Sequence, residues 1–230
     1  GYSYRMADFT VNEVIAQGLP ISAALGLAAM GLALTLGLAA GVTSAAFRNS
    51  ALDRVLMSLA TVGLAIPNFI LAGVLIMLLV FVVPCFPAAG WGRPGHLVLP
   101  AVCLGLPYAA SIARLTRTGL LEVLTQDFIR TARAKGLSSA AIIFKHALPG
   151  AMAPVVSFLG PAVAGIITGS PVVEKIFAIP GLGMHFVEAA LQRDYTLSMG
   201  LVLLFTLLLY GANVLVDLAY AILDPRVELQ

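Results

Sequence analysis

Long apolar runs separated by short polar connections dominate this chain, and five of them exceed the roughly 20 helical residues needed to cross a hydrocarbon core about 30 Å thick. They predict spans at about residues 19–45, 55–83, 98–121, 152–173 and 197–223. None of the runs alternates with period two or is as short as a barrel strand, so the pattern favours helices over an outer-membrane barrel. The expected fold is an all-α integral membrane protein, a polytopic bundle of about five helices forming one transmembrane domain over residues 1–230. Five spans put the two ends of the chain on opposite sides of the bilayer.

Composition supports this reading. Of the 230 residues 60% are hydrophobic and 10% charged, against about a quarter charged in an ordinary soluble domain. The net charge of +2, with no stripe of Lys or Arg, argues against a nucleic-acid partner. The position of the charges is more informative than their sum. Arg48, Arg54, Arg114, Arg117, Arg130, Arg133, Lys135, Lys145 and Arg226 lie on one side of the predicted spans, and Arg5, Arg93, Lys175 and Arg193 on the other. Cytoplasmic connections retain positive charge, so the larger group is expected inside. The 84–97 and 174–196 loops are then external and the C-terminus cytoplasmic.

Small residues four apart, Gly37 with Gly41 and Gly165 with Gly169, would let helix backbones approach closely. Pro67, Pro100, Pro107, Pro154 and Pro161 fall in or near span ends and are expected to kink them. Cys85 and Cys103 lack the spacing of a metal or redox pair and are expected to be small buried hydrophobes. His96, His146 and His185 fall in different loops on both sides and cannot share one metal. Asp217 is a charge within the last span; it lies close enough to the cytoplasmic end to reach water, and anchoring is its expected role.

Residues 122–151 are too polar to span and too apolar to be disordered. Asp127 is expected to cap a helix through Ala134, with Arg130, Arg133 and Lys135 exposed and Phe128, Ile129 and Ala132 available for packing. Gly136 would end that helix in the left-handed conformation, and a second would begin near Ser138 or Ser139, carrying Ile142, Ile143 and Leu148 toward the membrane. Such a hairpin suits a knob gripped by a peripheral protein. It suits equally an amphipathic element lying on anionic lipid.

The stretch resembles the EAA loop of ABC importer permeases, in which a Glu-Ala-Ala triplet is followed after three residues by Gly and nine residues later by Ile-x-Leu-Pro. Here the triplet positions are Arg130, Thr131 and Ala132, the glycine is Gly136 and the tail is His146-Ala147-Leu148-Pro149. The sequence departs from the general pattern at the Glu and Ile positions. Arg130-Thr-Ala-Arg-Ala-Lys-Gly-Leu137 is similar to the dipeptide and oligopeptide permease variant. The likeness extends to Ser3-Tyr4, Thr10-Val11-Asn12, Ala110 to Arg114, Val173-Glu174, Pro180 to Gly183, Arg193-Asp194-Tyr195 and Val216 to Arg226, and is most like the B-type subunit of oligopeptide permeases.

The resemblance implies one transmembrane permease subunit of an importer moving oligopeptides inward across the bacterial inner membrane. Implied partners are a second permease subunit in a heterodimer, two ATP-binding subunits, an extracytoplasmic peptide-binding protein and membrane lipid. ATP and Mg would be used by the partners, with no cofactor bound by this chain: no Gly-Lys pair occurs, so no P-loop is present, and the chain itself is not expected to be an enzyme.

On the same resemblance, Asp127, Arg130, Thr131, Ala132, Arg133, Ala134, Lys135, Gly136, Leu137, His146, Leu148 and Pro149 would couple to the ATPases. Glu174, Pro180, Gly181, Leu182, Gly183, Arg193 and Asp194 would form an external lid or binding-protein contact, with a structural cap on the bundle as the competing reading. Family members carry six spans, so one helix is expected to precede Gly1. Alternatives are a dipeptide or nickel-chelate permease of the same family, an ATP-independent carrier, or a membrane scaffold.

Overall fold

The computed structural model describes residues 2–4, 9–167 and 171–223; the side chains of residues 164, 167, 216, 217 and 219–223 lie outside that description. The anchoring role expected of Asp217, the Gly169 end of the second glycine pair, and the ending from Asp224 onward therefore fall outside the described residues.

Among the described residues three helices are long and apolar enough to cross a membrane: α1 (Val11–Ala46), α4 (Pro94–Val123) and the Tyr195–Leu215 part of α11 (Tyr195–Leu223). The two remaining predicted spans are bent pairs. One joins α2 (Ala51–Ala65) to α3 (Asn68–Ile76) and its π-helical extension (Met77–Val82) through 109°. Pro67 stands at that break with φ −59° and ψ 141°; it lacks a donor and forces the preceding residue out of the helical region. The other, predicted at 152–173, begins with α8 (Ala153–Ile167); Ser139–Ala151, the second arm of the hairpin expected outside the membrane, meets its Ala153–Val163 part at 56°, with Pro154 one residue into α8. Pro100 and Pro107 interrupt no helix and lie within a continuous α4, as Pro161 does within α8.

Helix α1 begins well before its predicted apolar run because a capping box starts it. The Thr10 backbone N–H donates to Glu13 Oε2 at 2.7 Å, and the Glu13 N–H donates back to Thr10 Oγ1 at 3.3 Å.

The chain divides into two compact units. In the first (Gly1–Leu32, Ile66–Gly105, Pro161–Val214), Val11, Val14, Leu182, Ala189, Leu197 and Leu201 form a buried cluster. The Phe186 and Phe205 rings meet edge to face with centroids 5.8 Å apart. Cys103 is buried and donates its thiol to Asn68 O at 3.1 Å, whereas Cys85 is exposed. The expectation for Cys85 fails because it follows the end of the π-helical turn, in the irregular connection before α4.

In the second unit (Ala33–Ala65, Leu106–Gly160, Leu215–Gln230), the Gly37 and Gly41 face of α1 is seated against α4. A Cβ on Gly37 would lie 2.7 Å from Ala109 O, and one on Gly41 would lie 2.7 Å from Ala113 O. Backbones this close exclude any side chain.

Candidate coupling site

The hairpin after α4 is built in the second unit. Helix α5 (Asp127–Ala134) follows a three-residue turn whose last residue, Gln126, is the N-cap in extended conformation without a side-chain cap bond. Asp127 is therefore the first helical residue and not the cap. Its carboxylate favours the helix start electrostatically and pairs with Arg130 Nη1 at 3.3 Å in full exposure.

Ile129 and Ala132, three apart, are buried against Ala45, Leu120, Val123, Ile142, Ala147 and Ala151. Burying the Ile129 side chain is worth about 2–3 kcal/mol, which anchors α5 to the ends of α1 and α4. Phe128 sits one position round the helix and is exposed, contrary to its expected packing role.

The turn is a complete Schellman motif. Lys135 is the C-cap, Gly136 has φ +76°, the Gly136 N–H donates to Arg133 O at 2.9 Å, and the Leu137 N–H donates to Ala132 O at 3.3 Å. Ser138 then caps the next helix, accepting from the Ala141 N–H at 3.3 Å. Helix α6 (Ser139–Ala141) runs into a π-helical turn (Ile142–Ala147) and then α7 (Leu148–Ala151). The wide turn precedes Pro149, whose ring would clash with the carbonyl four residues back in a regular helix. That proline is the only sequence signal for the π turn.

Of the residues assigned to coupling, Asp127, Arg130, Thr131, Arg133, Ala134, Lys135, Gly136, Leu137 and Pro149 are exposed, His146 and Leu148 are half-buried, and Ala132 is buried. The hairpin thus has one face fixed in the protein and one open face. Phe128, Leu137 and Phe144 are exposed apolar side chains on this hairpin.

Sequence reasoning missed an ionic clasp in the same unit. Asp53 accepts from Arg117 Nε at 2.8 Å and Nη2 at 2.9 Å, from the Asn49 N–H at 2.8 Å, and from the Ser44 hydroxyl. Asn49 adopts φ +64° in the turn between α1 and α2, and Ser50 Oγ accepts from the Asp53 N–H at 3.2 Å. The spacing of Ser50 and Asp53 at a helix start was the available signal. Arg117 had entered only as a positive charge.

In the first unit, the residues assigned to an external contact are mostly turned inward. Glu174, in α9 (Pro171–Ile176), accepts from the Ser22 hydroxyl at 2.9 Å and from the Met184 N–H of α10 (Leu182–Leu191) at 2.9 Å. Ser22 Oγ in turn accepts from the Leu182 N–H at 2.8 Å. Burial pushes the Glu174 carboxyl above its ordinary range despite these bonds. A Cβ on Gly181 would lie 2.5 Å from Glu174 Oε2 and from Ser22 Oγ, so that turn admits only glycine.

Asp194 is buried, accepts from the Ser3 hydroxyl and caps α11 through the Leu197 N–H at 3.1 Å. Pro180 and Arg193 alone of this group are exposed. Glu174 thus ties α9 and α10 to α1, and Asp194 ties the segment before α1 to the start of α11.

The chain is 50% identical over 229 residues to the dipeptide transport system permease protein DppB of Bacillus subtilis (strain 168), covering 100% of this chain and 74% of that protein. It is 46% identical over 230 residues to the oligopeptide transport system permease protein OppB of Escherichia coli (strain K12), covering 99% and 75%. A solved structure of the MetNI methionine ABC transporter in an inward-facing conformation shares the fold, with a TM-score of 0.78 at 22% identity over 92% of this chain and 96% of that one. Residues 16–229 match the family described as binding-protein-dependent transport system inner membrane component. With a helix, glycine turn and helix between its apolar helices and a family match along nearly its whole length, the chain belongs to that family of inner membrane transport components.

Proposed function

We propose that this chain is one permease half of an ATP-driven importer of oligopeptides, and that separate ATPase subunits grip the 127–148 hairpin. The observation that carries the reading is the hairpin's construction: α5 is anchored by Ile129 and Ala132, and the Gly136 turn closes with both Schellman bonds. A packed, hydrogen-bonded element transmits force where a floppy loop would not. ATP and Mg belong to the partner subunits, and ATP-driven closure of those subunits would reorient the helices about the transport path.

The further assembly is a second, different permease subunit, two ATP-binding subunits and an extracytoplasmic peptide-binding protein, in the bacterial inner membrane with the C-terminus cytoplasmic. The uneven distribution of Lys and Arg supports that orientation. Relatives named for oligopeptide and dipeptide transport support a peptide substrate. The 50% identity to a dipeptide permease favours a second reading, in which the cargo is a dipeptide.

Co-purification of the full-length permease with its ATPase subunits tests the docking role. The wild type is expected to retain them, Arg133→Glu to lose them at equal expression and unfolding temperature, and Gly136→Val to bind yet uncouple ATP hydrolysis from transport. Absence of ATPase from the wild type, or unchanged coupling in both variants, refutes it.

A further inference from the structure

A cavity of 450 Å³ opens beside the hairpin, within the second unit, and is lined by Arg48, Arg130 and Arg133 together with the hydroxyl-bearing Thr125 and Ser139. Among the described residues no carboxylate lines it. Among the described residues Arg48 and Arg133 have no side-chain hydrogen bond or ion pair, and the acid paired with Arg130 is Asp127, outside the lining. The carbonyl ends of α1 and α4 also border the cavity. Each carries about half a negative charge, which the guanidiniums of Arg48 and Arg133 outweigh, Arg130 being offset by Asp127.

The unpaired arginines Arg48 and Arg133, with Arg130 and neutral hydroxyl donors in the same lining, suit the oxygens of a phosphate group, which Arg grips in a fork of parallel N–H bonds.

Two features select the source of that phosphate. Arg48 is the first charged residue after Glu13, and α1 remains apolar up to its end at Ala46, so the cavity opens where a spanning helix leaves the hydrocarbon for the head-group layer. Ile142 and Ile143 share the lining with the arginines, a mixture that fits the glycerol and upper acyl chain of a lipid and gives a free anion nothing. We propose that this pocket holds the phosphate of an anionic phospholipid. Basic pockets between helices at the cytoplasmic face are a known form of such recognition. The inference does not require ATPase docking.

The test is a thermal-unfolding titration of the delipidated full-length permease in neutral detergent, without ATPase subunits and at fixed ionic strength. The probes are short-chain phosphatidylglycerol, short-chain phosphatidylcholine and inorganic phosphate. Phosphatidylglycerol is expected to raise the unfolding temperature with half-saturation at least about tenfold below that of phosphatidylcholine, the scale of one charge-assisted hydrogen bond.

Arg48→Gln should weaken the response about tenfold, Arg48→Lys several-fold by losing the fork while keeping the charge, and Lys145→Gln, an exposed cation outside the lining, should not weaken it. Equal responses to the two lipids overturn the proposal, as does equal loss in Lys145→Gln and Arg48→Gln, which would mean diffuse surface charge. Inorganic phosphate matching phosphatidylglycerol makes it a free-anion pocket and overturns the lipid assignment. Loss of ATPase co-purification in Arg48→Gln without loss of the lipid response assigns the pocket to an acidic segment of the ATPase and overturns it as well.

Discussion

Replacing Glu174 with Ala should be among the most damaging single changes outside the spans. The carboxylate is fully buried and receives the Ser22 hydroxyl and the Met184 N–H, while Ser22 Oγ relays a further bond from the Leu182 N–H. Removing the acceptor leaves two donors unpaired at about 1–3 kcal/mol each, so the loss should be about 2–6 kcal/mol, with a cavity contribution in addition. Glu174→Gln keeps an acceptor oxygen in nearly the same volume and should cost far less.

The pH dependence supplies a second signature. Because burial raises the carboxyl's folded-state pKa, the folded protein binds this proton more tightly than the unfolded chain does. Its contribution to stability is therefore greatest below the unfolded carboxyl's pKa and falls as pH rises through the folded value. Thermal unfolding of the purified permease, scanned across pH, should show this slope in the wild type and a flatter profile in Glu174→Gln. An alanine variant as stable as wild type, with the same pH profile, would refute the assignment of Glu174 as a structural hub.

Other perturbations separate the remaining elements. Ile129→Ala should cost about 2–5 kcal/mol of local packing and release α5, seen as faster hydrogen exchange over residues 127–137 with little change in α11. Gly37→Ala places a Cβ 2.7 Å from Ala109 O and should destabilise by about 1–3 kcal/mol through forced separation of α1 and α4; unchanged thermal stability would show that the helices part freely. Arg117→Gln should lower the unfolding temperature by opening the clasp around Asp53, and a double variant, Asp53→Asn with Arg117→Gln, should lose less than the sum of the singles.

Helix existence was legible because a bilayer demands long apolar runs, and the hairpin because glycine and serine mark a Schellman turn and an N-cap in one short stretch. The bends were only half legible. Pro67 and Pro154 stand at breaks while Pro100 and Pro107 are absorbed within α4, since a proline's missing donor disrupts a helix only where neighbours do not compensate.

The buried polar clusters were not legible. Asp53, Ser44 and Arg117 come from three helices, and Glu174 meets Ser22 across 152 positions of chain. No periodicity reports such a meeting. The same limit explains why Glu174, Gly181 and Asp194 carry two expectations, an external lid or binding-protein contact and a structural cap: family likeness marks them as special, and only the structure shows that all three are buried.

The bond from Ser3 to Asp194 spans 191 positions and joins the segment before α1 to the residue that caps α11. Loop-closure entropy grows only as the logarithm of loop length, so a tie across nearly the whole polypeptide costs little more in entropy than a much shorter one. It is made where the first long helix and the last both begin. Ser3→Ala would leave every described span intact, yet it would take away a donor to the carboxylate that starts the final helix. Substitutions in this segment should therefore be judged by their effect on α11, far away in the sequence.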